Sequence, residues 1–164
     1  MSFQNADAKL TAEIHAANQQ WLKALQISVD AVLDCYAEKA KDGVDCVLLP
    51  TVQGTVCDTR DLRRQYFEHF LAKKPLGTID EERVHLLSPT PGARVVNYMG
   101  HYTFSLQGAD GSRSNVPARF TFTYIETPRG WVIAHHHSSA MPEGKAAVSK
   151  EEKETGLGCC CCSC

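Results

Sequence analysis

Residues 135–139 read His135-His136-His137-Ser138-Ser139, three imidazoles and two hydroxyls on consecutive positions. They follow Trp131-Val132-Ile133-Ala134, an apolar run with strand character. Side chains alternate along a strand, so His135, His137 and Ser139 share one face and His136 and Ser138 the other. Two chemistries are open to such a row. His135 and His137 form an H-x-H pair that could supply two ligands to zinc or manganese, with His85, His101 or another residue as a third. Without metal, an imidazole exchanges protons near neutral pH while hydroxyls fix a water or a small polar substrate. Packing alone has little use for five adjacent polar residues at the end of an apolar strand.

Three other positions bear on such a site. Thr51 follows Pro50 at the end of a brief apolar segment, Val44 to Leu49. Tyr66 lies on the apolar face of a helical pattern. Arg119 interrupts Ala118-Arg119-Phe120-Thr121-Phe122, where it either meets solvent or turns inward toward an anion; alternation alone leaves its face open.

The elements that must hold these residues follow from periodicity. Leu10, Ile14, Ala17, Trp21 and Leu25 recur at three to four residues and predict an amphipathic helix. Val29, Val32, Leu33 and Tyr36 predict a second, ended by Lys41-Asp42-Gly43. A third runs from a cap at Asp58 or Thr59 to about Lys73, with Leu62, Tyr66, Phe67 and Phe70 inward. After Pro75 and Gly77 the chain is strand-like: Arg83–Leu87, Arg94–Leu106, Val116–Glu126 and Trp131–Ser139, separated by Pro89-Thr90-Pro91-Gly92, Asp110-Gly111 and Pro128-Arg129-Gly130. Helices followed by a meander give an α+β fold, helices on one face of a curved antiparallel sheet.

At 164 residues the chain suits one well-buried core. A formal charge of −2 offers no basic field for nucleic acid. No signal peptide and no long apolar stretch stands out, which suggests a cytoplasmic protein. The domain spans 1–143. Beyond it the composition shifts to Glu, Lys, Ala, Gly and Ser, and 144–164 reads as a flexible charged tail.

Several segments together carry a family resemblance: Leu48-Leu49-Pro50-Thr51, the Tyr66-Phe67-Glu68-His69-Phe70-Leu71 helix with Lys74-Pro75, Gly100-His101-Tyr102-Thr103-Phe104, Ala118-Arg119-Phe120-Thr121-Phe122, and Trp131 through His135-His136-His137-Ser138-Ser139-Ala140-Met141-Pro142-Glu143. Over roughly residues 8–143 the chain resembles the iota-class carbonic anhydrases, in the nuclear-transport-factor-2-like, SnoaL-like superfamily. That superfamily also holds the association (hub) domain of calcium/calmodulin-dependent protein kinase II. The resemblance implies a cone-shaped α+β fold, a homodimer or higher oligomer, and reversible hydration of CO2 to bicarbonate without a cofactor. Zinc or manganese is the alternative, since metal dependence is claimed for some members. By position it implies catalytic roles for Thr51, Tyr66, His136, His137, Ser138 and Ser139. Tyr102, Arg119 and Arg64 are expected to contact substrate.

In that scheme the hydroxyls hold water and substrate oxygens, and His136 or His137 takes the proton. Arg119, if inward, favours bicarbonate, while Phe67, Phe104 and Phe122 wall the CO2. The hub relative offers a different class, a non-catalytic oligomerisation or ligand-binding module. Arg64, two residues before Tyr66, matches the hub's arginine; Ser138 stands where the hub has another. That replacement suggests that position 138 faces the cavity, with His136 beside it. Lyase or isomerase chemistry on hydroxyacid or polyketide-like substrates, also hosted by the superfamily, ranks last because no Asp-His pair appears in the pocket strands.

The eight cysteines divide unevenly. Cys35, Cys46 and Cys57 are scattered and read as packed thiols. The other five lie in Cys159-Cys160-Cys161-Cys162-Ser163-Cys164. This ending reads either as an unmodified reduced thiol tail or, by its resemblance to the C-x-C terminus that is doubly prenylated in some small GTPases, as a membrane tether through lipidated cysteine.

Overall fold

The computed structural model describes residues 4–5, 7–51 and 53–142. The tail 144–164, with its cysteines and the proposed lipid tether, lies outside the described residues. The expected α+β order is present. Strand β1 (Gln4–Asn5) precedes α1 (Ala8–Ala24), α2 (Val29–Leu33), α3 (Lys39–Asp42), β2 (Val47–Leu49) and α4 (Arg60–Leu71). Four long strands complete the chain: β3 (Leu76–Ser88), β4 (Val95–Gln107), β5 (Arg113–Thr127) and β6 (Gly130–Ala140). They form a curved, unclosed sheet in the order β1-β3-β4-β5-β6-β2.

Capping explains the helix starts. Asp7 accepts from the Leu10 amide at 2.7 Å and Thr59 from that of Leu62 at 3.2 Å, each satisfying an N–H the first turn leaves free. Turns set the meander. Gly92, Gly111 and Gly130 have φ of 75°, 82° and 101°, a region an L side chain resists. The buried stripe of α1, including Leu10, Ile14 and Trp21, packs with the aromatic inner face of the sheet, which presents Tyr98, Tyr102, Phe104, Phe120 and Phe122.

Three departures from the sequence reading shape the site. The second helix stops at Leu33, and α3 starts only at Lys39. Between them the chain extends and bridges β6: Ile133 N donates to Cys35 O at 2.9 Å, and Ala37 N to Ile133 O at 2.8 Å. Tyr36 is therefore an extended residue beside β6, not part of a helical stripe. Strand β3 begins at Leu76 rather than Arg83, because Gly77 and the polar run that follows pair with β4 from Ser105 inward. Lastly, β2 runs parallel to β6, so one edge of the otherwise antiparallel sheet departs from the expected pattern.

Three irregularities interrupt the ladders of the described residues, one of them between β3 and β4 at Leu86/Ser88. A second lies at Ile79/Glu81, whose partners are Tyr102 and His101, next to the Glu82–Gly100 pair. A Cβ built on Gly100 would overlap the Glu81 carbonyl and stand 2.9 Å from Glu82 Cα, so only glycine fits this close backbone approach. Between β5 and β6, Thr123 pairs His135 while Tyr124 pairs Ile133, which leaves Ala134 as an extra residue.

Candidate functional site

The register of β6 decides which polar side chains turn inward. His136 pairs with Phe122 and Ser138 with Phe120, both on the inner face. Each keeps 5% of its surface. His135 and His137 are exposed, and Ser139 is half-buried on the same outer face. The inward parity of 136 and 138 is thus the one suggested by serine at position 138.

These two side chains line a cavity of about 340 Å³ between α4, the end of β2 and the inner sheet face. Its wall is mainly aromatic and aliphatic, with Phe67, Phe70, Phe104 and Leu48 contributing. Phe122 packs behind this wall, 4.1 Å from the His136 ring centre, and is not itself lining.

Polar atoms form two groups. In the first, Tyr102 donates its hydroxyl to Ser138 Oγ at 2.5 Å, and Ser138 is hydrogen-bonded to Thr51 Oγ1. Tyr102 is buried, and desolvation pushes its phenol up to about 12, so it remains a neutral donor. Tyr66 lines the cavity nearby, its phenol likewise raised by burial. Thr51 reaches the group because β2 runs beside β6 and ends at Leu49, opposite His137.

The second group is centred on His136. Its Nδ1 lies 2.8 Å from Tyr36 Oη, and Tyr36 Oη accepts from Trp21 Nε1 at 3.2 Å. His136 Nε2 is buried and has no partner among the described residues. Burial in this aromatic setting, with a smaller repulsion from His137, lowers the imidazole pKa to about 3. The ring is therefore neutral at physiological pH and a weak proton acceptor.

Arg63 supports the segment that carries Thr51. Its guanidinium is buried, and Nη1 donates to the carbonyls of Cys46 at 2.7 Å and Cys57 at 3.4 Å. Those carbonyls lie before and after the turn that holds Thr51. A cation clamped to backbone acceptors stiffens a loop that has little regular structure of its own.

Thr51, Tyr66, Tyr102, His136 and Ser138 are thus brought together. The remaining expected residues stand elsewhere. Arg119 is exposed on the outer face and donates to Ser139 Oγ at 3.2 Å. Arg64 pairs with Asp30 at the surface. His137 faces outward beside Thr121. Sequence reasoning placed Trp21 and Tyr36 only as packing residues. A clue lay in the tryptophan itself, since an indole N–H buried in a core needs an acceptor. At the mouth stands Lys73, exposed. His135 and His137 do not belong to a three-ligand cluster: among the described residues no group of three or more His, Cys, Asp or Glu side chains is placed to hold a metal ion.

Residues 10–142 match the model of the calcium/calmodulin dependent protein kinase II association domain family. The chain belongs to that family. A crystal structure from Xanthomonas campestris, described as such an association domain, is 38% identical, with 88% of this chain and 99% of that one covered and a TM-score of 0.73. More distant association-domain and related structures share the fold. The hub homology domain of Chlamydomonas reinhardtii is 16% identical over 81% of this chain and 99% of its own, with a TM-score of 0.61. A Streptomyces avermitilis protein of the NTF2-like family, described as a dehydratase, is 15% identical over 80% and 97%, with a TM-score of 0.65. No curated protein matches. Among the described residues of this association-domain chain, no helix is long and apolar enough to cross a membrane.

Proposed function

We propose that the chain is a self-associating module carrying a small-ligand pocket. The pocket half of this reading rests on the Thr51–Ser138–Tyr102 hydroxyl cluster, set with Tyr66 and His136 in an aromatic-walled cavity. Among the described residues no carboxylate lines that cavity, and the one cation that does, Lys73, is exposed. Such a lining suits a small molecule with oxygen acceptors, neutral or singly negative. The assembly half rests on family membership. It is also supported by the outer sheet face, where the rungs His85–Asn97–Thr123–His135 and Arg83–Met99–Thr121–His137 point away from the helices. Sedimentation velocity at micromolar concentration tests it: a homo-oligomer is expected, and a single 18.1 kDa species would refute assembly.

A second reading, CO2 hydration, is favoured by one observation. Thr51, Tyr66, His136 and Ser138, four residues implicated by the carbonic anhydrase resemblance, line the same cavity. Here a water held by Ser138 and Thr51 attacks the CO2 carbon, a C=O electron pair moves onto oxygen, and the proton leaves through the hydroxyls to solvent. Phe67 and Phe104 provide an apolar seat for CO2, and Tyr66 donates to the developing bicarbonate oxygen. The weak basicity of His136 and the outward position of His137 leave neither as the obvious first proton acceptor. Stopped-flow CO2 hydration before and after exhaustive chelation decides between the readings. Activity surviving chelation supports metal-free catalysis. Activity lost and restored by zinc or manganese shifts the chemistry to a metal, and inactivity in every state leaves the binding and assembly module.

A further inference from the structure

Three side chains from distant parts of the chain form a buried series: Trp21 of α1, Tyr36 of the extended segment between α2 and α3, and His136 of β6. One ordering of protons pairs every polar group along this series. An indole nitrogen only donates, so Trp21 Nε1–H gives its proton to Tyr36 Oη. The Tyr36 hydroxyl must place its own proton on an acceptor, and His136 Nδ1 lies 2.8 Å away. Nδ1 is then the unprotonated nitrogen. The ring proton of neutral His136 sits on Nε2, which has no partner among the described residues.

A buried N–H without an acceptor is unfavourable, so this tautomer persists only because the other ring nitrogen is tied to Tyr36. We propose that Trp21 and Tyr36 are positioning residues that hold His136 as its Nε2–H tautomer, fixing which nitrogen of this buried imidazole carries the proton.

The readout is the long-range ¹H–¹⁵N spectrum of the uniformly labelled full chain, with the His136 ring assigned by its loss in His136→Gln. The expected wild-type signature is an unprotonated Nδ1 and a protonated Nε2. In Tyr36→Phe the lock is gone, and both nitrogens move toward the averaged shifts of exchanging tautomers. A protonated Nδ1 in wild type overturns the proposal, and so does an unchanged signature in folded Tyr36→Phe. If that variant does not fold, the wild-type spectrum still decides.

Discussion

The Tyr102–Ser138 bond can be tested by a double-mutant cycle with Tyr102→Phe and Ser138→Ala. Both side chains keep 5% of their surface or less, and the hydroxyl oxygens are 2.5 Å apart. Removing one partner strands the other away from water, which costs about 1–3 kcal/mol for a neutral group. Thr51 tempers both losses. It bonds Ser138 and also reaches the Tyr102 hydroxyl, so each single variant falls nearer about 1–2 kcal/mol. The double variant strands neither hydroxyl. Its remaining cost is a small void and a half-buried Thr51 that can turn to solvent, so it should be less destabilised than the sum of the singles by about 1 kcal/mol. Urea titrations at fixed protein concentration, with unchanged m-values, measure the cycle. Additivity within about 0.3 kcal/mol would show that the hydroxyls do not interact and would remove the cluster from the site.

Further outcomes follow from the same coordinates. Gly100→Ala forces a methyl into the Glu81 carbonyl, a clash only backbone movement relieves; a loss of at least about 3 kcal/mol is expected in thermal or urea unfolding, and a near-neutral variant would show that the β3 irregularity yields easily. Arg63→Met leaves the carbonyls of Cys46 and Cys57 without their donor and should cost about 2–4 kcal/mol, with faster hydrogen exchange concentrated at residues 46–57. His136 has its folded-state pKa depressed from 6.5 to about 3, so below pH 6.5 the unfolded chain binds the extra proton. Stability then falls as pH drops from 6.5 toward 3, by up to about 1.4 kcal/mol per pH unit, and His136→Gln should lack that component. An equal acid slope in both proteins would refute the buried neutral imidazole.

Much of the frame was legible because periodicity carries it. The stripe of α1, the Thr59 cap and the glycine turns follow from local rules, and they arrive within a few residues of their expected places. What local rules could not supply was contact between distant segments. Tyr36 fits a helical stripe with Val29, Val32 and Leu33; only the pairing of its neighbours with Ile133 draws it out of the helix and onto His136. Arg119 could have faced either way, and its side was settled by pairing with Ser139 on the outer face. The strand-end cluster itself was conspicuous in composition, but which half of it meets the cavity depended on ladder register.

That register is governed by the extra residue at Ala134. Drawing Ala134 into the ladder, while the first half of β6 keeps its partners, would shift every later residue by one. His135 would then lie opposite Phe122, where His136 now stands, and His137 opposite Phe120, in the place of Ser138. The three successive histidines make this a nearly silent change at the first position, imidazole for imidazole, and a drastic one at the second, imidazole for hydroxyl. A single bulge therefore acts as a phase selector, holding two alternative pocket chemistries in one sequence, of which the protein displays the hydroxyl form.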